Sequence, residues 1–486
     1  MFIGRKKELQ FLKERYEDKK AQLIVLYGRR RIGKTETLKE FCKDKPHVFY
    51  SCTQSTDKIQ LSKFSRQLLK ENIPAKRYIS EFNDWESAFS SIDDLPYGDR
   101  KKLIVIDEFP YMCKGNSSIP SILQNLWDNK FKDSNIMIIL CGSSMSFIEK
   151  ELLAEKNPLY GRATGIYKMD EMNFYDVSKF FPDYSDKDKI LTYAILGGIP
   201  HYLSQFDPEI SLADNIKRNI LSKGCVLYSE TEFLLHQELR ETPVYNSIIE
   251  TVALGNTKLN EISQKSLIDS TSKTSVYLKN LIELGIIERV FSIDNSSKER
   301  VKANRGTYRL RDNFFRFWYT FGFANISALE DGDIDGVYDN LISPQLHEFA
   351  SLPFEDVCMD FLKELQKNNL LPFRFSKIGN WSGKTTIRDN TAKNGLRTAE
   401  TEIDILAVNK DSSKYLIGEC KFKNSPCSYS EYLDTLAKLT PLKSEAEFYY
   451  ALFSESGFDE KIIREAENSD WLYLYNLETI VNYKGL

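Results

Sequence analysis

The chain has 486 residues. Because a single hydrophobic core stops growing at roughly 250–300 residues, we expect about three domains. The composition is that of a globular protein, with 42% hydrophobic and 28% charged residues, and the net charge is −4. This charge excludes a global basic field, so only a local basic patch would bind nucleic acid.

The cysteines and histidines indicate a reduced protein without a zinc site. The eight cysteines contain no C-x-x-C pair, and none of the four histidines stands at metal-ligand spacing from a cysteine. No apolar run reaches the roughly 18 residues of a membrane span. A glycine-rich motif begins at residue 28, which leaves no room before it for a signal peptide. We therefore predict a cytoplasmic protein with no membrane partner.

The first part of the chain alternates short apolar runs with helical patterns. A charge-rich amphipathic helix is predicted over residues 5–20, and mainly helical patterns over 57–95. The predicted strands are residues 23–27, 47–52, 103–106 and 136–141. Strands that alternate with helices predict a parallel sheet covered on both faces. Residues 1–165 are therefore predicted to be an α/β nucleotide-binding domain.

A phosphate-binding motif, GRRRIGKT, follows the first strand and opens a helix. Its glycines let backbone N–H groups curl around phosphates, and the helix N-terminus adds partial positive charge. Lys34 is expected to contact the β- and γ-phosphates, and the Thr35 hydroxyl to bind Mg²⁺. The arginine side chains at 29–31 are expected to face solvent or a partner. The predicted nucleotide-contacting residues of this segment are Gly28, Arg29, Arg30, Arg31, Ile32, Gly33, Lys34, Thr35 and Glu36.

Two later strands supply the acidic and polar groups that ATP hydrolysis needs. Asp107 ends one strand, where it would hold the magnesium hydration shell, and Glu108 would polarise the attacking water as general base. Ser143 follows the next strand and is a candidate sensor that hydrogen-bonds the γ-phosphate or the water. A simple turn after a core strand explains Ser143 equally well.

These motifs resemble those of the AAA+/STAND-like ATPases found in archaea and bacteria. The resemblance implies that Gly4 and Arg5 border the adenine pocket, and that Pro200 packs on the base from the lid. It also implies that Arg162 is a charge sensor or arginine finger, in cis or from a neighbouring copy, although a surface arginine is the alternative. The matching segments are residues 2–5 (FIGR), 28–35, 106–109 (IDEF), 140–144 (LCGSS), 158–162 (PLYGR) and 197–203 (GGIPHYL).

Residues 166–345 are predicted to be mainly helical. We expect a helical lid over 166–240, a winged helix over 241–311, and a linker or docking helix over 312–345. Between Lys298 and Arg311 there are six basic residues and one acidic residue, on the predicted wing. Such a wing could bind DNA phosphates, and Arg300, Lys302 and Arg305 would contribute most. Docking against the rest of the chain is the alternative.

The last segment, 346–486, carries a second constellation of charged residues. After a helix over 352–366 and a polar stretch to about 401, strands are predicted over 402–408 and 415–421. Glu419 and Lys421 share one face of a strand, and a neighbouring strand can set Asp404 beside them. Two carboxylates and a lysine suit Mg²⁺-assisted hydrolysis of a phosphodiester.

This constellation resembles the PD-(D/E)XK nuclease superfamily, in the version fused behind archaeal-type ATPases. The resemblance implies a restriction-endonuclease-like α/β domain in which Glu355 joins Asp404 and Glu419 as a metal ligand. It covers residues 354–357, 377–381 and 402–405, and it departs from the expected pattern at Ser382. Folds of this kind also degenerate into binding modules, so cleavage and mere binding both stay open.

The chain as a whole is predicted to be a multidomain α/β protein that binds ATP or ADP and Mg²⁺. Three hypotheses follow: a nucleotide-gated nuclease, an ATP-driven switch whose last domain only binds, and a regulator that contacts DNA through the wing. Nucleic acid, DNA rather than RNA, is the expected partner, and a homo-oligomer is compatible with a finger-like Arg162.

Overall fold

The structure, a computed structural model, describes residues 2–293, 306–388, 396–437 and 446–483, with the backbone alone at 384–388 and 396–399. The chain divides into two compact units. The first unit is Met1–Met172 with Ile199–His201, and the second is Asn173–Gly198 with Tyr202–Leu486. The five domain ranges predicted from the sequence stay predictions.

A five-stranded parallel sheet forms the centre of the first unit. Its strands are β1 Gln22–Tyr27, β2 His47–Ser51, β3 Lys102–Asp107, β4 Ile136–Gly142 and β5 Gly165–Lys168, in the order β2-β3-β4-β1-β5. The predicted parallel sheet and its first four strands are confirmed. Strand β5 was not predicted from the sequence, because four residues that end in a lysine give little hydrophobic signal.

Both faces of this sheet are covered. Successive side chains of a strand point to opposite faces, so Leu23 and Val25 enter one hydrophobic cluster while Ile24 and Leu26 enter another. The covering helices are α1 Lys6–Glu17, α2 Lys34–Cys42, α3 Asp57–Leu69, α4 Trp85–Ser90, α5 Phe109–Gly115, α6 Ile119–Asn129 and α7 Met145–Phe147, with single turns at Pro74–Arg77, Ser91–Asp94, Phe131–Asp133 and Ile148–Leu152.

Within residues 174–293 and 306–342, the described elements are helices and an antiparallel hairpin, β6 Ile287–Val290 and β7 Thr307–Leu310. The helices are α8 Phe174–Ser178, α9 Asp186–Leu196, α10 Pro200–Leu203, α11 Leu212–Ile216, α12 Glu230–Glu238, α13 Thr242–Ala253, α14 Leu259–Lys265, α15 Thr271–Glu283, α16 Asn313–Phe317, α17 Ile326–Glu330 and α18 Ile334–Val337. Single turns occupy Lys217–Leu221, Leu227–Ser229, Trp318–Gly322, Phe323–Asn325 and Tyr338–Ile342. The order of α13, α14, α15 and the hairpin is the one predicted for a winged helix.

A mixed five-stranded sheet forms the end of the chain, in the order β12-β11-β10-β9-β8. Its strands are β8 Lys377–Arg388, β9 Leu396–Val408, β10 Lys414–Lys421, β11 Glu447–Ser454 and β12 Leu472–Asn476, and its helices are α19 Ser343–Lys367, α20 Tyr429–Ala437, α21 Glu460–Glu467 and α22 Leu477–Val481. The antiparallel pairs are β8–β9 and β9–β10, and the parallel pairs are β10–β11 and β11–β12.

Two sequence predictions were wrong in this segment. The stretch predicted to be polar up to about residue 401 contains β8 and the first part of β9. The two strands pair through their backbones, and charged sequences conceal such pairing. The helix predicted to start at 352 begins at Ser343 and continues through Pro353. Within the described residues, no helix combines the length and the apolar character needed to cross a membrane.

Candidate nucleotide-binding site and carboxylate cluster

The phosphate-binding motif forms the turn between β1 and α2. Gly33 has φ +85° and is the N-cap residue of α2, a conformation that favours glycine. A Cβ atom on Gly28 would lie 2.4 Å from the Met169 carbonyl oxygen, so no larger residue fits there. The two glycines of the motif are therefore required for different reasons, one by its dihedral angle and one by space.

The side chains of Lys34 and Thr35 point into the loop and toward the neighbouring strand β3. Lys34 Nζ donates to the carbonyl oxygens of Gly28 at 2.9 Å and Arg29 at 2.8 Å. Burial lowers the pKa of Lys34, a shift that nearby Asp107 opposes. Thr35 Oγ1 donates to Asp107 Oδ2 over 2.7 Å. The hydroxyl and the carboxylate predicted to serve magnesium are thus in direct contact.

Glu108 and Ser143 meet at the carboxyl ends of β3 and β4. The Glu108 carboxylate accepts hydrogen bonds from Ser143 Oγ at 2.9 Å and Ser143 N at 3.3 Å. Glu108 has φ +52°, an uncommon conformation for a residue with a side chain and one often found at functional sites. Ser143, which is 7% exposed, therefore touches the predicted general base, a contact that sequence reasoning did not foresee.

The donor set suits magnesium. Mg²⁺ prefers hard oxygen ligands and is usually held by one or two carboxylates together with substrate phosphates. The Thr35 hydroxyl and the Asp107 carboxylate are such oxygens, and they lie beside the phosphate loop. These two residues would hold the ion with the nucleotide.

Arg5 connects the start of α1 to the phosphate loop. It is 4% exposed and has φ +60°, directly after Gly4 at φ +71°. Its guanidinium donates to the carbonyl oxygens of Ile32 at 2.6 Å and Asp170 at 2.7 Å. The structure thus gives Arg5 a bracing contact to the loop, while the predicted adenine contact of Gly4 and Arg5 stays a prediction.

The loop arginines are less exposed than expected, and acidic or aromatic neighbours contact two of them. All three are half-buried. Arg29 pairs with Glu171 over 3.0 Å, and Arg30 donates to the Tyr111 hydroxyl over 3.3 Å. Glu36 is exposed and pairs with Lys39 on the same helix, so its carboxylate is turned to a cation and not to the loop.

Arg162 lies at the edge of the sheet opposite the phosphate loop. It precedes Thr164, whose N–H donates to Leu23 O at the start of β1, whereas the loop follows the end of β1. At about 3.3 Å per residue, the two positions are about 15 Å apart. Strand direction therefore separates Arg162 from the phosphate loop of its own chain, and its role as a charge sensor or arginine finger stays a prediction. In this structure Arg162 pairs with Asp128 over 2.8 Å.

Pro200 contacts the phosphate loop. A Cβ placed on Gly33 would lie 3.6 Å from Pro200 Cγ, and the N–H of His201 donates to Arg31 O over 3.4 Å. The predicted contact of Pro200 with an adenine base stays a prediction.

In the second unit, Asp404, Glu419 and Lys421 lie on one face of the mixed sheet. Gly418 is paired with Ile405, so the antiparallel register sets Glu419 opposite Asp404. Cys420 N donates to Asp404 Oδ2 over 2.9 Å, and Lys421 Nζ lies 2.8 Å from Glu419 Oε1. Burial lowers the pKa of Lys421, but Glu419 and Asp404 more than offset this and raise it.

Glu355 on α19 completes the cluster. Burial, followed by the nearby Asp404 carboxylate, raises the pKa of Glu355 from 4.5 to about 8. Asn380 Nδ2 bridges the two acidic residues, donating to Glu355 Oε2 at 3.0 Å and to the Asp404 carbonyl at 2.7 Å. We refer to Glu355, Asn380, Asp404, Glu419 and Lys421 as the carboxylate cluster.

Sequence reasoning named no role for Asn380. The signal that could have found it is Gly379, because a glycine inside a strand often marks a bulge. The register of β8 on β9 does shift between Gly379 and Trp381.

The cluster is not arranged as a metal centre. Among the described residues, no group of three His, Cys, Asp or Glu side chains could hold a metal ion. The carboxylates make contacts with protein groups instead: Glu355 with Asn380, Asp404 with Cys420 N, and Glu419 with Lys421. The predicted magnesium ligation by Glu355, Asp404 and Glu419 therefore does not fit this arrangement.

The basic residues of the predicted wing divide into two groups. Arg300, Lys302 and Arg305 lie outside the described residues. Arg309, on β7, is half-buried and pairs with Glu288 and Asp356, so it is not free to bind a phosphate.

Comparisons with known proteins agree with the first unit. The profile of an ATPase domain predominantly from Archaea matches residues 2–206, and that of "Archaea bacterial proteins of unknown function" matches residues 318–433. The solved Walker-type ATPase paby2304 of Pyrococcus abyssi shares the fold, with a TM-score of 0.51 and 19% identity, over 65% of this chain and 96% of its own. The predicted archaeal-type ATPase is confirmed, and the nuclease resemblance stays a prediction.

Two proteins of Methanocaldococcus jannaschii are similar in sequence. Uncharacterized ATP-binding protein MJ0423 is 53% identical over 45 residues, which cover 9% of this chain and 76% of its own. Uncharacterized protein MJECL04 is 34% identical over 482 residues, which cover 98% of this chain and 99% of its own. The chain therefore belongs to the same family as MJECL04, and it carries an ATPase domain of the kind found predominantly in Archaea.

Proposed function

We propose that the first unit hydrolyses ATP, with Glu108 as general base and Lys34, Thr35 and Asp107 as the phosphate and magnesium contacts. The observation that carries this proposal is the contact of the Glu108 carboxylate with Ser143 at the carboxyl ends of β3 and β4, next to the Thr35–Asp107 pair. A carboxylate held at a strand end beside a phosphate loop is positioned to orient water.

Each residue has a distinct task in this scheme. The backbone N–H groups of the loop bind the phosphates, and Lys34 exchanges its contacts with Gly28 O and Arg29 O for phosphate oxygens. Magnesium would supply charge neutralisation on the β- and γ-phosphate oxygens. Ser143 orients Glu108, and Glu108 accepts a proton from the attacking water.

The test is Glu108→Gln, which keeps the shape of the side chain and removes its basicity. We expect ATP to bind as to the wild type, while turnover falls roughly 10²–10⁴-fold. The matched control is Glu14→Gln, on the exposed side of α1. Normal turnover by Glu108→Gln would show that another group is the base.

A second candidate function concerns the carboxylate cluster, for which we propose cleavage of nucleic acid by a PD-(D/E)XK-like domain. It is supported by Asp404 and Glu419 on neighbouring strands, Lys421 on the same face, and Glu355 close enough for Asp404 to raise its pKa. Water would attack the phosphorus while the P–O bond to the leaving oxygen breaks. An ionised carboxylate of the cluster would take a proton from the water, and protonated Glu355 would give one to the leaving oxygen. The Lys421 ammonium would stabilise the negative charge on the phosphate. We propose that the substrate is DNA and that ATP binding or turnover regulates its cleavage. We also propose that residues 241–311 form a winged helix.

Cleavage is tested by incubating the wild type and Asp404→Ala with labelled single- and double-stranded DNA and RNA. Mg²⁺ or Mn²⁺ is supplied, with and without ATP. Cleavage by the wild type alone supports the proposal. A difference in cleavage between the reactions with and without ATP shows that ATP regulates it. If no condition gives cleavage, the ATP-driven binding switch replaces it, with a cluster that only binds.

We further propose a cytoplasmic homo-oligomer in which Arg162 of one copy contacts the nucleotide of the next. The support is the position of Arg162 about 15 Å from the phosphate loop of its own chain, as estimated from strand rise. Light scattering with ATP and with ADP measures the mass. Equal monomeric masses, together with normal turnover by Arg162→Ala, would contradict this arrangement.

A further inference from the structure

The hairpin β6–β7 contacts helix α19 at the residue next to the cluster carboxylate Glu355. Arg309 on β7 stands opposite Glu288 on β6 and bonds to it. The Arg309 Nη2 atom also donates to Asp356 Oδ1 over 3.3 Å. Because Asp356 follows Glu355 on α19, this contact fixes the residue next to the cluster carboxylate.

The hairpin also contacts the cluster from the side of strand β8. Just after β6, Ile293 N donates to Asn380 O over 3.1 Å, and Ser292 Oγ accepts from Ser382 N over 3.4 Å. The Ile293 side chain is buried in the same hydrophobic cluster as Trp381. Asn380 stands at the bulge of β8, and bulges commonly redirect a side chain. Here that side chain reaches Glu355 and the Asp404 carbonyl.

The residues that follow the hairpin hold α19 at a third point. The Arg316 guanidinium lies 3.9 Å from the centroid of the Phe349 ring and bonds to the Phe349 carbonyl. Phe349 and Asp356 are about two turns apart on α19. The helix is thus held on both sides of the turn that leads into Glu355.

We propose that hairpin β6–β7 is a positioning element of the carboxylate cluster, in which Arg309 and Asn380 together fix the Glu355 carboxylate against Asp404 for cleavage of a phosphodiester. This inference rests on the second candidate function. The physical reason is that Glu355 and Asp404 lie on different elements, helix α19 and strand β9. The hairpin bonds to α19 and to strand β8, and Asn380 of β8 in turn donates to the Asp404 carbonyl oxygen. A movement of the hairpin is transmitted to Glu355 through one residue on each side.

The test separates positioning from mere neutralisation of charge. Arg309→Met removes the bonds to Asp356 and Glu288, and Arg309→Lys keeps the charge. Arg309→Met/Asp356→Asn removes both charges of the pair on α19, so that the carboxylate next to Glu355 is not left unpaired. Asn380→Ala removes the bridge to Glu355. The matched control is Lys363→Met, which breaks an exposed ion pair with Asp360 on the same helix.

The first readout is cleavage of labelled DNA, split into kcat and KM. We expect Arg309→Met, the double variant and Asn380→Ala to lower kcat about 10–100-fold with KM within about twofold, as for other residues that orient a reactive group. Arg309→Lys should restore part of kcat, and Lys363→Met should match the wild type. A double variant with wild-type kcat would overturn the proposal, since the pair would then only compensate charge.

The second readout is amide hydrogen exchange at residues 380–382, which does not require cleavage. We expect faster exchange there in Arg309→Met and in the double variant than in Lys363→Met. Equal exchange in all three variants would overturn the coupling. If the wild type cleaves nothing, the second candidate function fails, and the exchange result still decides whether the hairpin holds the cluster.

Discussion

The phosphate loop of the first unit and the carboxylate cluster of the second unit are built in opposite ways. The loop is a continuous segment, residues 28–35, and in the proposed function its backbone N–H groups would supply most of the phosphate contacts. The cluster takes its groups from one helix and three strands, and side chains would supply all of its proposed chemistry. The loop therefore depends on a few residues whose identity is fixed, whereas the cluster depends on neighbours that contribute no reactive atom.

The two sites also differ in how their carboxylates are held. The Asp107 carboxylate accepts a hydrogen bond from the Thr35 hydroxyl. The Glu108 carboxylate accepts hydrogen bonds from the hydroxyl and the backbone N–H of Ser143. The pKa of Glu355 is raised instead, first by burial and then by the neighbouring Asp404 carboxylate. We therefore expect the phosphate loop site to bind a cation and a nucleotide, and the charge of the carboxylate cluster to change with pH.

The largest expected effect concerns the phosphate loop. Lys34→Ala removes the ammonium that would contact two phosphates, and a hydrogen bond to a charged group contributes roughly 1.5–3 kcal/mol. We therefore expect ATP affinity to fall about 10³-fold, ~4 kcal/mol, in a titration with a fluorescent ATP analogue. Lys39→Ala, on the exposed face of the same helix, is the control. Comparable losses in both variants would show that general charge, and not the loop, binds the nucleotide.

The next effect sharpens the contrast through pH. Because the pKa of Glu355 in the folded protein is about 8, above its ordinary 4.5, the folded state retains a proton that the unfolded chain releases. The contribution of protonated Glu355 to the free energy of unfolding is fully present below about pH 4.5 and is lost as the pH rises to about 8. Glu355→Gln should remove this loss and stabilise the protein by about 3 kcal/mol at pH 8.

Urea unfolding of the wild type and Glu355→Gln at pH 5 and pH 8 measures this difference. Near pH 5 the two proteins should be almost equally stable. A constant difference across the range would mean that Glu355 keeps an ordinary pKa and that Asp404 does not affect it.

A smaller effect concerns the Arg309–Asp356 pair of the second unit. Removing one partner of a fully buried pair costs about 3–5 kcal/mol. Here Arg309 is 24% exposed and Asp356 37%, so solvent reduces the cost. We expect Arg309→Met to destabilise the protein by about 2 kcal/mol in urea unfolding. Arg464→Met, in an exposed pair with Glu460, should be neutral, and equal losses would contradict a special role for Arg309.

The smallest effect tests the contact between the two strand ends of the first unit. Ser143→Ala leaves Glu108 in place but removes the hydroxyl donor. A net hydrogen bond contributes about 1 kcal/mol, so we expect kcat for ATP to fall about fivefold with little change in KM. Ser87→Ala, which removes a hydroxyl on α4, is the control. A loss as large as that of Glu108→Gln would make Ser143 a direct participant in the reaction.

The parts of the fold that the sequence predicted correctly share a strong local signal. Strands β1, β3 and β4 are apolar runs buried along nearly their whole length, and the helix after the phosphate loop starts where the motif requires. Strands β5 and β8 were missed because short or charged strands carry no such run. Their place is decided by backbone pairing with β1 and β9.

The candidate sites also contain some features with a local sequence signal and others that depend on contacts between distant residues. Spacing alone identified the loop, the Asp107–Glu108 pair and the strand pattern of Glu419 and Lys421, because each lies within a few residues of the chain. Spacing could not show that Ser143 contacts Glu108, that Arg5 braces the loop, or that Arg162 lies at the far edge of the sheet. These contacts join residues that are far apart in sequence.

What the sequence determined by itself is the chemistry that depends on local backbone conformation: a glycine-rich turn before a helix, and acidic residues at a strand end. Such features are encoded within one or two turns of chain, where residue type restricts dihedral angles. Only the tertiary structure decided which distant groups meet, such as Asn380 with Glu355 or Arg309 with Asp356. Pairing between distant elements depends on packing and sheet register, and no short segment of sequence contains that information.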